Sequence, residues 1–234
     1  MEILKNIEIK DLALYLKKEK ILVIGDLHLG YEQSLIEKGI LVPKFYFKDL
    51  ISRLEKILSK VKVDYIVING DLKHEFGIIS REEWKNSLDL IDFLSKYGKL
   101  ILVRGNHDTI LKPIAELKKL KINDYYKVND IYICHGHKLP NDIDFASSKL
   151  IIVGHEHPAI SLREGAKKEL YKCFLFGKFK NKKLIVMPSF DLVTEGSDIF
   201  KNEVLSPFLK QDLKNFDVYI VADKVYKFGE LKNI

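Results

Sequence analysis

The chain carries seven histidines, and all of them fall in five short stretches. These read Asp26-Leu27-His28, Gly70-Asp71 with His74 close behind, Gly105-Asn106-His107-Asp108, His135-Gly136-His137 and Gly154-His155-Glu156-His157. Each has an ordinary explanation when taken singly. An Asp after a strand caps a helix, and Gly-Asn and Gly-Asp are common turn dipeptides. Together they repeat one chain position, directly after an apolar run, and structural accident does not account for that. Imidazole and carboxylate without thiolate suit borderline metals such as Mn, Fe, Co, Ni or Zn, rather than a Cys-based structural zinc site. Asp26 and His28 are two apart, as are His155 and His157. In an extended chain each pair points to one side and can close on one ion. Asn106 adds an amide oxygen as a neutral ligand. There are donors enough for two ions, and two cations ~3.5–4 Å apart can clamp a phosphoryl group. Gly25, Gly70, Gly105 and Gly154 let the backbone turn sharply and approach a ligand closely.

The elements that must present these residues are equally visible. Ile21–Ile24, Tyr65–Ile68 and Leu100–Val103 are continuous apolar runs, which predicts strands buried on both faces. Apolar residues at helical spacing predict helices over 44–60 and 81–97. This strand–helix alternation argues a sheet with helices packed on it. The second half changes character. Ile131–Cys134 and Leu150–Val153 read as short strands, 170–187 as a hairpin turning within 178–182, and 216–228 as another turning at 222–224. A second sheet packed on the first is expected. Residues 188–210 carry Pro188, Gly196 and Pro207 and read mostly as loop. In open α/β sheets the carboxyl ends of the strands line the ligand crevice, and each His-bearing stretch follows such an end.

Length and composition bound the rest. The 234 residues are 47% apolar and suit one large domain, so a single domain over 1–234 is expected. The net charge of +6 permits an acidic partner without demanding one. Only Arg53, Arg81, Arg104 and Arg163 are arginines, and a lysine-dominated surface is usually a solubility device. Two cysteines, Cys134 and Cys173, form no disulfide framework, which points to a reduced, cytoplasmic setting. No apolar run approaches the roughly 20 residues of a membrane span, and the N-terminus lacks a signal-peptide profile.

The five motifs, in this order, resemble those of the calcineurin-like metallophosphoesterases, over residues 21 to about 187. The resemblance implies an α/β fold, a four-layer α/β/β/α sandwich of two packed sheets flanked by helices. It implies a hydrolase with two divalent metal ions, Mn²⁺ foremost, with Fe, Co, Ni or Zn as alternatives. Asp26, His28, Asp71 and His157 would hold the first ion. Asp71, Asn106, His135 and His155 would hold the second, with Asp71 bridging. His107 would sit beside the scissile phosphate, oriented by Asp108. Gly70-Asp71-Leu72-Lys73-His74 looks like the Mre11/SbcD nuclease form of the second motif. Asp26-Leu27-His28-Leu29-Gly30-Tyr31-Glu32 and Pro188-Ser189-Phe190 are similar to small archaeal relatives of those nucleases and to bacterial ligase-associated endonucleases.

A metal-dependent phosphodiesterase acting on nucleic acid is therefore the leading expectation. His107 is the expected proton donor to the leaving oxygen, with His74 second. No DNA-capping domain follows the last hairpin, so single strands, ends or flaps are the expected substrates. Phosphate contacts are sought in the Lys-rich segments 112–121, 167–172 and 178–183. A homodimer and DNA-repair partner proteins are further expectations, and no membrane association is. The alternatives are hydrolysis of small phosphodiesters, such as cyclic nucleotides or nucleotide-linked metabolites, and a non-catalytic metal-binding scaffold. His137 is read as a backup or structural residue, Glu156 as supporting its neighbours, Arg104 as paired with a carboxylate and Cys134 as core.

Overall fold

The computed structural model describes residues 1–41, 46–77, 79–165, 167–201 and 203–234. The first sheet has seven strands: β1 (Glu2–Leu4), β2 (Ile7–Lys10), β3 (Ala13–Leu16), β4 (Ile21–Ile24), β5 (Tyr65–Asn69), β6 (Lys99–Val103) and β7 (Ile122–Asn123), in that spatial order. The first four pair antiparallel and β4 to β7 pair parallel. Helices α1 (Tyr31–Glu37), α2 (Tyr46–Leu58), α3 (Arg81–Ser95) and α4 (Lys112–Leu117) fill the crossovers. Ser80 caps α3 by accepting from the Glu83 amide, the expected device for a Ser before a Glu-rich first turn. The helix expected over 44–60 is found from Tyr46; positions 44 and 45 lie outside the described residues.

The second sheet contains β8 (Tyr126–Val128), β9 (Ile131–Ile133), β10 (Leu150–Val153), β11 (Pro158–Glu164), β12 (Lys167–Phe179), β13 (Lys182–Val186), β14 (Ser197–Asp198), β15 (Asp217–Val221) and β16 (Val225–Glu230). β10 runs parallel to both β9 and β13. β12 is long enough to serve two partners, pairing with β11 along its first part and with β13 and β15 along its last. Both expected hairpins are present, as β12–β13 and β15–β16.

Strand alternation explains why neither face of the central strands of this second sheet is wet. Ile133, Ile152, Phe174 and Ile185 point into the core shared with Ile24, Ile66 and Ile68 of the first sheet. Tyr132, Cys134, Ile151, Val153 and Leu184 point the other way, into a second cluster with Phe208, Leu209 and Phe216. The result is two mixed sheets packed together and flanked by helices. The outer cover of the second sheet is thin: the one-turn α5 (Ile143–Ser147), whose Phe145 packs there, and coil around 204–216. Cys134 is core as expected, and both cysteines are free and buried. Among the described residues no helix is long and apolar enough to cross a membrane.

Candidate metal centre

The loops after β4, β5, β6, β9 and β10 meet at one end of the seam between the sheets. Hydrogen bonds from backbone amides and one buried side-chain amide tie them together. The Asp26 and His28 amides donate to the carbonyls of Gly70 and Asp71 at 3.1 and 3.0 Å. The His155 amide donates to Asp26 Oδ2 at 3.0 Å, the His107 amide to Asp71 Oδ1 at 2.8 Å, and Asn69 Nδ2 to the Cys134 carbonyl at 3.0 Å. Asp26, His28, Asp71, His155 and His157 all have left-handed backbone, with φ of 54°, 44°, 45°, 68° and 50°. Asp26 and His28 thus converge on one donor set as expected, though not by the alternation of an extended chain, whereas His155 and His157 part, one to each set. Tight left-handed turns aim them, a strain that persists only where the surroundings over-determine the backbone. The glycines serve close approach. A Cβ would lie 2.0 Å from Asp71 Oδ1 at Gly105, 2.3 Å from Asp26 Oδ2 at Gly154 and 2.2 Å from His135 Nδ1 at Gly70.

Two sets of donor atoms lie within 4.8 Å of one another, Asp26/His28/His157 and Asp71/His135/His155. The nearest approaches are His28 Nε2 to His157 Nε2 at 3.3 Å, His157 Nε2 to Asp26 Oδ1 at 3.3 Å and His135 Nε2 to Asp71 Oδ2 at 3.3 Å. Asn106 Oδ1 is 2.8 Å from His135 Nε2, so the amide joins the second set. Asp71 Oδ2 also lies 3.8 Å from His28 Nε2, which puts this oxygen between the sets. A third grouping, His28/His74/His107, holds imidazoles alone.

The electrostatics suit cations. Asp26 and Asp71 are buried, which opposes ionisation, yet surrounding histidines hold both carboxyls below the usual range. Burial works against His135 as well, but Asp26 and Asp71 on either side push it up to about 9. Burial and His157 bring His28 down to about 3, and burial and His135 bring His155 down to about 4. Two buried carboxylates therefore face one imidazole that readily carries charge and several that resist it. Asp26 Oδ1 is buried and accepts no well-formed hydrogen bond, and His28 Nδ1 is likewise without a partner. A surplus of buried negative charge among neutral imidazoles and an amide oxygen fits divalent cations of borderline hardness.

Of the other expected residues, His107 lies beside this cluster, with Nε2 3.9 Å from Asp71 Oδ2. Its orientation corrects the expectation for Asp108. His107 Nδ1–H donates to the His74 carbonyl at 2.5 Å, whereas Asp108 accepts from the Leu72 and Gly105 amides at 3.1 and 2.8 Å. Asp108 is thus a buried clamp between two loops, and burial together with Asp71 lifts its carboxyl to about 6. His74 packs 5.6 Å from His107, ring centre to ring centre. Burial and His107 keep His74 below the usual range. His137 stands 5.2 Å from the His135 ring, half-buried and lowered to about 4 by burial and His135. Glu156 turns away and holds the 203–209 coil through the Leu205 and Ser206 amides, at 2.9 and 2.8 Å. Arg104 pairs with Asp124 at 3.9 Å.

The Lys-rich segments are less open than their composition suggests. Lys112 and Lys118 pair with Glu116 and Asp92, Lys167 and Lys168 with Glu169 and Asp198, and Lys182 donates to the Ala146 and Ser148 carbonyls. Lys172 points inward, donating to Ser189 and to the Asp191 carbonyl. It thereby holds the 188–194 loop beside the first motif, where the Phe190 and Asp191 amides donate to the carbonyls of Gly25 and Asp26. That loop supplies Asp191 and Thr194 to a cavity of about 200 Å³ also lined by Tyr31, His28, His74, His107 and His157. Tyr31 lies within the extended first motif, but Asp191, Thr194 and Lys172 were not legible as site residues. They sit outside the His-bearing stretches, and only the fold brings them there.

The model of the family described as calcineurin-like phosphoesterase matches residues 19–224. Among solved structures, the nuclease MPE of Pseudomonas putida is 19% identical, covering 93% of this chain and 92% of that one with a TM-score of 0.67. A protein of unknown function from Aquifex aeolicus, AQ665, is 22% identical over 58% of this chain and 78% of that one, with a TM-score of 0.38. Vacuolar protein sorting 29 of Cryptosporidium parvum is 14% identical over 90% and 97%, with a TM-score of 0.39. No curated protein matches the sequence significantly.

Proposed function

Because the chain belongs to the calcineurin-like phosphoesterase family, we propose that it is a binuclear metal-dependent phosphodiesterase that cuts single-stranded nucleic acid, ends or flaps. The observation that carries this reading is the pair of donor sets meeting at Asp71 Oδ2, with His107 at their edge. In this reading Asp26, His28, Asp71 and His157 hold one ion, and Asp71, Asn106, His135 and His155 hold the other. Two bound cations would neutralise a phosphodiester and lower the pKa of a water so that hydroxide exists near neutral pH. Mn²⁺ is the proposed metal, supported by the oxygen- and imidazole-rich donors.

The chain's own groups do the rest. His107 is fixed by its Nδ1–H on the His74 carbonyl, which leaves Nε2 to carry a proton to the departing ester oxygen. His74 supplies that carbonyl and a ring face, and its lowered basicity suits a neutral partner better than a second donor. Asp108 holds the loops of the second and third motifs at fixed spacing. The adjoining cavity, at about 200 Å³, is smaller than the roughly 300–1,000 Å³ of drug-sized sites. It has room for a phosphate and part of one ester arm. A single domain over 1–234, in a cytoplasmic setting, belongs to the same reading, supported by the core the two sheets share and by the free cysteines.

The test is Mn²⁺-dependent cleavage of labelled single-stranded, flapped and duplex DNA across a salt series, beside a cyclic nucleotide. Cutting of single strands or flaps ahead of closed duplex, lost with chelator, is the expected result. Turnover of the cyclic nucleotide with no polymer cut at any salt would replace this reading with one of small phosphodiesters.

A further inference from the structure

Four rings stand in a row along one wall of the centre. Tyr31 lies on His74 with centroids 4.1 Å apart and planes at 32°. His74 stacks on His107 at 5.6 Å and 29°, and His107 meets Phe76 at 3.8 Å and 33°. The two ends of the row differ. Tyr31 is half-buried and lines the cavity. Phe76 is 54% exposed, so one face lies on His107 and the other is open.

The residue is held in place. Thr109 Oγ1 donates to the Phe76 carbonyl at 2.6 Å. Just before it, the His74 and Glu75 amides donate to the buried Glu83 carboxylate at 2.9 and 3.1 Å. A flat apolar ring is thus presented on a fastened turn, directly beyond the imidazole proposed to protonate the leaving oxygen. What complements such a surface is another flat ring. Every nucleobase has a π-face, and stacking on a protein aromatic is tolerant of sequence.

Building on the phosphodiesterase reading above, we infer that Phe76 is the stacking platform for an aromatic ring on the ester arm that departs past His107, a nucleobase when the substrate is nucleic acid. Phe76 is then a specificity-determining residue. It favours arms that carry a ring and discriminates little among the four bases.

The experiment compares wild type, Phe76→Ala and Phe76→Trp on two matched pairs. One pair is a dinucleotide with a normal or an abasic nucleoside on the leaving side. The other is a methyl phosphodiester with a benzyl or a cyclohexylmethyl arm. Phe76→Ala should lower kcat/KM for the base-bearing and benzyl substrates by roughly 5- to 150-fold, mostly through KM. It should leave the abasic and cyclohexylmethyl substrates within about twofold, and Phe76→Trp should restore the difference. Binding of phosphorothioate dinucleotides with Ca²⁺, followed by fluorescence anisotropy, should show the same order without turnover. Equal losses on both members of a pair would mean that Phe76 merely holds His107, and no loss on either would remove its role; both outcomes overturn the inference. An intact Phe76 effect on the benzyl ester, with no dinucleotide cut, would instead sink the nuclease reading and keep the platform.

Discussion

His107 offers the sharpest separation of chemistry from structure at the level of single residues. Replacing it with Asn keeps a hydrogen-bonding group for the His74 carbonyl but removes the proton donor. Metal content should stay near two ions per chain while kcat falls by roughly 10²–10⁴-fold. The defect should shrink on p-nitrophenyl esters, whose leaving group needs little protonation. Parallel loss of metal and activity, seen by elemental analysis, would make His107 a ligand instead. Glycine gives a second contrast. Gly105→Ala would drive a Cβ to 2.0 Å from Asp71 Oδ1 and should abolish metal binding. Gly39, at φ +80° with nothing within 4 Å, should cost only roughly 1–2 kcal/mol of backbone strain as Ala and leave metal binding intact. A Gly105→Ala protein that still holds two ions would show that Asp71 can retreat. The ligand types were legible in the sequence because imidazole and carboxylate announce themselves by type. The Asp108 contacts were not, since which atom of a neighbour a carboxylate accepts from depends on loop geometry, not on adjacency.

At the level of elements, the apolar runs that lead into a His-bearing stretch were legible, and other strands of the same length were not. Strands β4, β5, β9 and β10 are buried on both faces along almost their whole length, and β6 at its carboxyl end, so their sequences are apolar runs that stand out. β1 to β3 are three or four residues each, as are β4, β9 and β10, but Lys5, Asn6, Glu8, Lys10 and Asp11 break up the apolar pattern around them, and no metal-capable cluster follows β3. The 188–194 loop was read as loop correctly, but its place against the first motif depends on Lys172, which looks like one more surface lysine in sequence. Burial brings Lys172 down to about 8. Its unfolded counterpart holds its proton to about 10.5, so between those values the unfolded state binds more protons and stability rises with pH. Denaturant titrations of wild type and Lys172→Met at pH 7.5, 9 and 10.5 should show the difference between them moving in favour of wild type. A difference independent of pH would mean that the carbonyls around Lys172 restore its ordinary basicity.

Over the whole molecule, both donor sets take residues from both sheets: Asp26, His28 and Asp71 follow strands of the first, and His135, His155 and His157 follow strands of the second. Ion binding should therefore raise stability as well as activity. At about 100 times the dissociation constant each site adds roughly 2.7 kcal/mol, and for a chain of this size each kcal/mol moves Tm by about 2–4 °C. Thermal melts with Mn²⁺ and with chelator should differ by about 5–10 °C per occupied site, Asp71→Ala losing the whole increment and His28→Ala roughly half. Melts that coincide with and without metal would argue against ligation across the seam. The same arrangement would make bound ions cross-links. Asp26 and His157 are far apart in sequence, and a closure that long is what a disulfide supplies in secreted proteins, most effectively when the loop is long. This chain has two free cysteines, both buried, so its strongest covalent-like ties would be reversible ones, made and released as the metal supply changes.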